Sequence, residues 1–139
     1  MIDEAMEEAG LSYFANRSGA NLISGIVTIF AQNASVSGKC KKRHALIECD
    51  EAAFRTVSKY LDAKCVVVTN VFRDQLDRYG EISHTIEMIT EGIQNSLNAV
   101  VCLNADCSMT SSISQKVKNP VVFFGVDTPI YEIQSWSFP

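Results

Sequence analysis

Three stretches of this chain put carboxylates and amides directly after runs of β-favouring residues. HALIEC at 44–49 carries Glu48 at its end and is followed by Asp50. CVVV at 65–68 runs into Thr69, Asn70, Arg73, Asp74, Gln75 and Asp77, and NAVVCL at 98–103 runs into Asn104 and Asp106. In open α/β sheets ligands bind outside the carboxyl ends of the strands, so these side chains stand where a site is expected. Several carboxylates and amides on one such edge suit a Mg²⁺-nucleotide site: hard cations take oxygen ligands, and polar groups position the phosphates. Glu48 is the candidate cation ligand, against the plainer reading of an exposed strand end. A fourth polar stretch, NRSGAN at 16–21, precedes an apolar run. There Ser18 is a candidate helix N-cap, Gly19 permits close backbone approach and Arg17 adds a cation, so the turn could hold a carboxylate or phosphate or be an ordinary surface turn.

Other chemistries fit poorly. There is no G-x-S-x-G elbow, and neither His44 nor His84 closes a strand, which speaks against Ser-His-Asp and Cys-His hydrolases. No G-x-G-x-x-G marks a dinucleotide site. Gly38-Lys39 resembles a phosphate loop only in part, because Asn33 stands where glycine is needed and Cys40 where serine or threonine is needed. The net charge of −4, without a basic tract, gives no footprint for nucleic acid. Five cysteines include no C-x-x-C pair; three lie in or beside apolar runs as small core residues, which fits a reduced cytoplasmic protein without a zinc site. The acidic N-terminus is unlike a signal peptide, and no apolar run is long enough to be a transmembrane segment.

The elements that must position these groups follow from periodicity. Helices are expected at 2–9, closed by Gly10, at 22–32, at 51–61 capped by Asp50, at 82–97, and over a short stretch around Met109 and Ile113 capped by Asp106. Leu22, Ile23, Ile26, Val27, Ile29 and Phe30 give the second helix an apolar surface wide enough to be well covered. Ile82, Ile86, Ile89 and Ile93 form one inward stripe on the fourth, with His84 outside it. Strands are expected at 11–15, 44–49, 65–68, 98–103 and 121–124, with a surface loop at 33–43. The alternation predicts a single α/β domain over 1–139, in three layers around a mainly parallel sheet. A leading helix that feeds a strand also suggests a βαβ chain whose first strand and loop are missing.

TNVFRDQLDRYGE at 69–81, with NRSGANL at 16–22, HALIECDEA at 44–52 and LNAD at 103–106, resembles the central ATPase domain of the Mur ligase family, which is P-loop NTPase-like. The resemblance runs through nearly the whole chain, and RDQLDRYGE is its most specific string. It implies an ATP- and Mg²⁺-dependent ligase that activates a carboxylate as an acyl phosphate for attack by a nitrogen nucleophile. Glu48 then matches a metal-binding glutamate and, with Asp74, the catalytic positions. Asn70, Asp77, Asn104 and Asp106 border the nucleotide, and Arg17, Ser18 and Asn21 face the substrate. Most members carry a metal-binding histidine where this chain has Gln75, and peptide-adding members use a lysine on the next helix, yet no lysine lies between Lys64 and Lys116. Both departures point to the amidating branch, which takes the D-glutamate α-carboxylate of lipid II and ammonia from a GatD-like glutaminase subunit. The family's phosphate loop would precede residue 1 and its C-terminal domain would follow residue 139. The chain is therefore expected to be an N-terminally truncated fragment, inactive alone. Alternatives are another ligase of this kind, such as a folylpolyglutamate-synthase-like enzyme, or a non-catalytic protein-binding module.

Overall fold

The computed structural model describes residues 2–16, 19–71 and 79–126, with 79–82 described by their backbone alone. The order is α1 (Ile2–Glu8), β1 (Tyr13–Ala15), α2 (Ile23–Asn33), β2 (His44–Leu46), α3 (Glu51–Val57), β3 (Cys65–Val68) and α4 (Tyr79–Asn95). Then come β4 (Val100–Asn104), α5 (Ser108–Ser112) running into a 3₁₀ turn (Ile113–Gln115), and β5 (Val121–Phe124). The molecule is of the α/β class, and every strand pairing is parallel. Gly10, at φ +65°, closes α1 as expected.

The strands form two sheets rather than one: β1 pairs with β2, and β3, β4 and β5 pair in that order. The first sheet is only three residues deep. Its second strand stops at Leu46 instead of Cys49 because the backbone N–H and C=O of Glu48 are engaged by the Asn16 side chain and cannot extend a ladder. Asp50 caps α3 as expected, its Oδ1 accepting from the N–H groups of Ala52 (3.0 Å) and Ala53 (3.2 Å).

Successive side chains on a strand point to opposite faces, and the second sheet uses its two faces unequally. Val68, Val101 and Leu103 point into the main core, where they meet Ile86, Ile89 and Ile93 of α4 and Ile113 of the 3₁₀ turn, with Val66 and Val121 packed alongside. Ile93, Val101, Leu103 and Ile113 are completely buried. The α4 stripe is thus the one expected, although the Ile82 side chain lies outside the described residues. The strand register places Cys65, Val67, Val100, Cys102, Val122 and Phe124 on the other face. That face is open: Val67 is 41% exposed, Val122 52% and Phe124 41%. The exposure of Cys65 corrects its expected place in the core.

A second cluster joins Ile26 of α2 to Ala53 and Val57 of α3. Here α2 departs from expectation, since Ile26 is its single buried residue and Val27 is 59% exposed. The seven residues of α3 cover only part of it. What remains is an apolar groove of about 540 Å³ between α2 and α3, lined among others by Ile23, Val27, Phe30, Val57, Tyr60 and Leu61. The N-cap of α2 is Leu22, without a side-chain bond, where Ser18 was the expected cap. Ser18 itself lies outside the described residues.

Across the middle of the molecule α3 packs on α4 through the Phe54 ring against Gly92, flanked by an ion pair from Arg55 Nε to Glu91 at 2.5 Å. At the amino end of β4, the Asn119 amide donates to the carbonyls of Ser96 (2.8 Å) and Ala99 (3.0 Å), tying the end of α4 to the approach to β5. No helix among the described residues is long and apolar enough to cross a membrane.

The Phe54–Gly92 contact gives a direct test of this packing. A Cβ on Gly92 would overlap the Phe54 ring. Gly92→Ala is therefore expected to destabilise the chain by about 1–2 kcal/mol, overpacking outweighing the helix-propensity gain of alanine. Urea denaturation measures this, and equal or greater stability would contradict the packing described.

Candidate functional site

The candidate residues gather in two groups at the carboxyl ends of the parallel strands. In the first, buried Asn16 sits just after β1 and reaches across to the segment after β2. Its Nδ2 donates to the Glu48 carbonyl (2.7 Å) and to the Ala20 carbonyl (2.9 Å), while its Oδ1 accepts from the Glu48 N–H (2.8 Å). The Asp50 N–H donates to the Asn21 carbonyl at 3.1 Å. One amide therefore fixes the backbone of Glu48 on both sides, and Asn21 fixes the residue that caps α3. The Glu48 side chain stays exposed, beside half-buried Asp50. These two carboxylates leave an electrostatic mark on the residue between them: burial, then Asp50, then Glu48 push the Cys49 thiol up to about 11.

In the second group Asn104, last residue of β4, donates from Nδ2 to Asn70 Oδ1 just beyond β3 at 3.0 Å. The Asn104 Oδ1 accepts from the Asp106 N–H (2.9 Å), and its carbonyl accepts from the hydroxyl of completely buried Thr110 (2.7 Å). Asp106 does not cap α5, whose N-cap is Cys107 without a side-chain bond. Its Oδ2 accepts instead from the Val126 N–H at 2.9 Å, so the carboxylate binds the chain leaving β5. Beside it, burial raises the Cys107 thiol, but hydrogen bonds from the backbone of Val71 and from Thr110 outweigh that and hold it below its ordinary range.

Of the residues singled out in the sequence, Glu48 and Asn21 meet through Asn16 and Asp50, while Asn70, Asn104 and Asp106 share one hydrogen-bonded network. Arg17, Ser18, Asp74, Gln75 and Asp77 lie outside the described residues. Sequence reasoning passed over Asn16 and Thr110, which hold the first and second groups in place. The only signal for Asn16 was its position as the polar residue that ends a strand run. Thr110 had none, because a hydroxyl one turn into a short helix reads as solvated. Among the described residues no three acidic, histidine or cysteine side chains form a metal cluster.

Three outcomes test this geometry. Asn16→Ala leaves the Glu48 N–H and C=O without their partners and is expected to cost about 2–3 kcal/mol in urea denaturation, against less than about 0.5 kcal/mol for a surface control such as Asn98→Ala. The thiol of Cys49, pushed up to about 11, should be alkylated at pH 8 roughly 100-fold more slowly than a free cysteine, since each unit of raised pKa removes tenfold in thiolate. Asp50→Asn keeps the helix cap while removing a charge, and should speed Cys49 alkylation several-fold in peptide-mapping mass spectrometry. No change would show that the Asp50 charge does not act on the thiol.

No protein-family model matches the chain. It is 40% identical over 112 residues to subunit MurT of the lipid II isoglutaminyl synthase (glutamine-hydrolyzing) of Streptococcus pneumoniae (strain ATCC BAA-255 / R6), a match covering 81% of this chain and 24% of that subunit. It is 30% identical over 134 residues to the MurT subunits of Staphylococcus aureus strains COL and N315, covering 96% of this chain and 29% of theirs. The chain thus spans about a quarter of the length of the curated relatives it matches. With similarity running through most of its own residues and an α/β framework of parallel strands, the chain is a homologue of about a quarter of these MurT subunits.

Proposed function

We propose that this chain contributes to an ATP- and Mg²⁺-dependent amide-forming ligase that converts the D-glutamate α-carboxylate of lipid II into a carboxamide, using ammonia from a GatD-like glutaminase subunit. One observation carries the reading: the 40% identity over 112 residues to a subunit of a glutamine-hydrolyzing lipid II isoglutaminyl synthase. The chemistry follows from that description. Hydrolysis of glutamine releases ammonia, and an isoglutaminyl product is a carboxylate turned amide. A carboxylate does not react with ammonia unless its oxygen becomes a leaving group, and phosphorylation by ATP supplies one. A reaction that consumes ATP and glutamine belongs in the cytoplasm.

The donor set fits the ion. Mg²⁺ is held by one or two carboxylates together with waters and substrate phosphates rather than by an all-protein cage. Glu48 offers an exposed carboxylate oxygen on a backbone fixed from both sides by Asn16, so its side chain is presented with little freedom in its base. In this reading Glu48 and Gln75 would hold the ion, and Asp74 would act with Glu48 on the reacting phosphate. Asn70, Asp77, Asn104 and Asp106 border the nucleotide, with the Asn70–Asn104 bond keeping two strand ends in register. Arg17, Ser18 and Asn21 face the acceptor, where a cation and N–H groups suit a carboxylate. When bound, the ion neutralises charge on the transferring phosphoryl group, and the protein's share is positioning.

A chimera tests the proposal. This chain replaces the matching 112 residues of the Streptococcus pneumoniae subunit, and the assembled synthase receives lipid II, glutamine and ATP. Mass spectrometry should find the carboxamide only when ATP and Mg²⁺ are present. Glu48→Gln should lower the rate by roughly 10²–10³-fold, as expected for loss of a preorganised charge, without lowering stability. Amidation that persists without ATP, or is untouched by Glu48→Gln, would overturn the assignment.

A further inference from the structure

We propose that Cys65 and Cys102 form a two-thiol site for a soft, thiophilic metal ion of the Cu(I) class. Adjacent strands β3 and β4 pair with Cys65 opposite Val100 and Cys102 opposite Val67, so the two cysteines lie diagonally on one face of the sheet. Their sulfur atoms are 3.9 Å apart. The face is the open one: Cys65 is exposed, Cys102 half-buried, and the positions around them are valines.

The separation decides what the pair can do. A disulfide needs its sulfurs at about 2.05 Å, roughly half the distance present, and a diagonal register works against that closure. An ion bound to both sulfurs at about 2.3 Å holds them about 3.8–4.0 Å apart when a ligand taken from solvent on the open face bends the sulfur–metal–sulfur angle to trigonal or tetrahedral values, whereas a linear two-coordinate ion would need about 4.6 Å. The composition decides which ion. No third acidic, histidine or cysteine side chain joins the pair among the described residues, which leaves a four-ligand zinc site incomplete. The valine surround offers no oxygen donors for a hard cation. Two soft sulfur donors on an apolar surface select Cu(I). On binding, each S–H gives its proton to water as an S–Cu bond forms, and nothing is oxidised or reduced.

Anaerobic titration of the reduced chain with Cu(I), against a competing chromophoric chelator, tests the site. One ion per chain should bind with near-ultraviolet sulfur-to-copper absorption, and X-ray absorption should find two sulfur neighbours from the protein. Cys65→Ser, at an exposed position, should weaken binding roughly 100-fold or more by removing one arm of a chelate, and Cys102→Ala should do the same. Cys40→Ser should leave it unchanged. Circular dichroism melts confirm that each variant is folded. Unchanged affinity in folded Cys65→Ser, or a copper shell without two protein sulfurs, would overturn the assignment.

Discussion

Parallel strands cannot be joined by a tight turn. Each return requires a crossover of a dozen or more residues, and crossovers are right-handed in nearly every known case. In this chain β3, β4 and β5 advance in sequence order across their sheet, so two successive right-handed crossovers deliver α4 and the α5 turn to the same face. The completely buried residues Ile93, Val101, Leu103 and Ile113 mark where that face closes. The same handedness leaves the opposite face to Cys65, Val67, Cys102, Val122 and Phe124, without a crossover helix of its own among the described residues. Core, open face and thiol pair are three results of one topological rule.

The rule also fixes where polar chemistry can stand. All strands point the same way within each sheet, so their carboxyl ends deliver Glu48, Asn70 and Asn104 into loops where side chains are not needed for packing. Two of these strand ends, those of Glu48 and Asn104, are held by neutral side chains instead of by charge. Asn16 serves Glu48, and Thr110 serves Asn104. Neutral anchors leave the carboxylate of Glu48 available, whereas an arginine or lysine in the same role would have neutralised it. Asp106 shows the contrary use of a carboxylate, since its oxygen is consumed by the backbone of Val126.

Much of this was legible in the sequence. β3 and β5 have the bounds that their apolar runs imply, because β-branched and aromatic residues between polar breaks favour extended strand. The α4 stripe was equally plain, since isoleucines four, three and four residues apart can face only one way on a helix. The early end of β2 was not legible: it depends on a hydrogen bond between residues 16 and 48, a long-range choice that no local pattern encodes. The exposure of α2 and of Cys65 was hidden for a related reason. Apolar character records what a residue prefers, while exposure depends on whether the topology sends a partner to cover it. At the site, residue types announced Glu48, Asn70 and Asn104, but the two residues that hold them were read as scenery.

The bonds from Asn119 to the carbonyls of Ser96 and Ala99 lie at the opposite end of the second sheet from Asn70, Asn104 and Asp106. The carboxyl ends of the same two strands are tied as well, by the Val126 N–H to Asp106 and the Ala105 N–H to the Phe124 carbonyl. β4 and β5 are thus clamped at both ends, and the polar groups at the carboxyl edge stand on a frame that has little rotation left to lose when a ligand binds there.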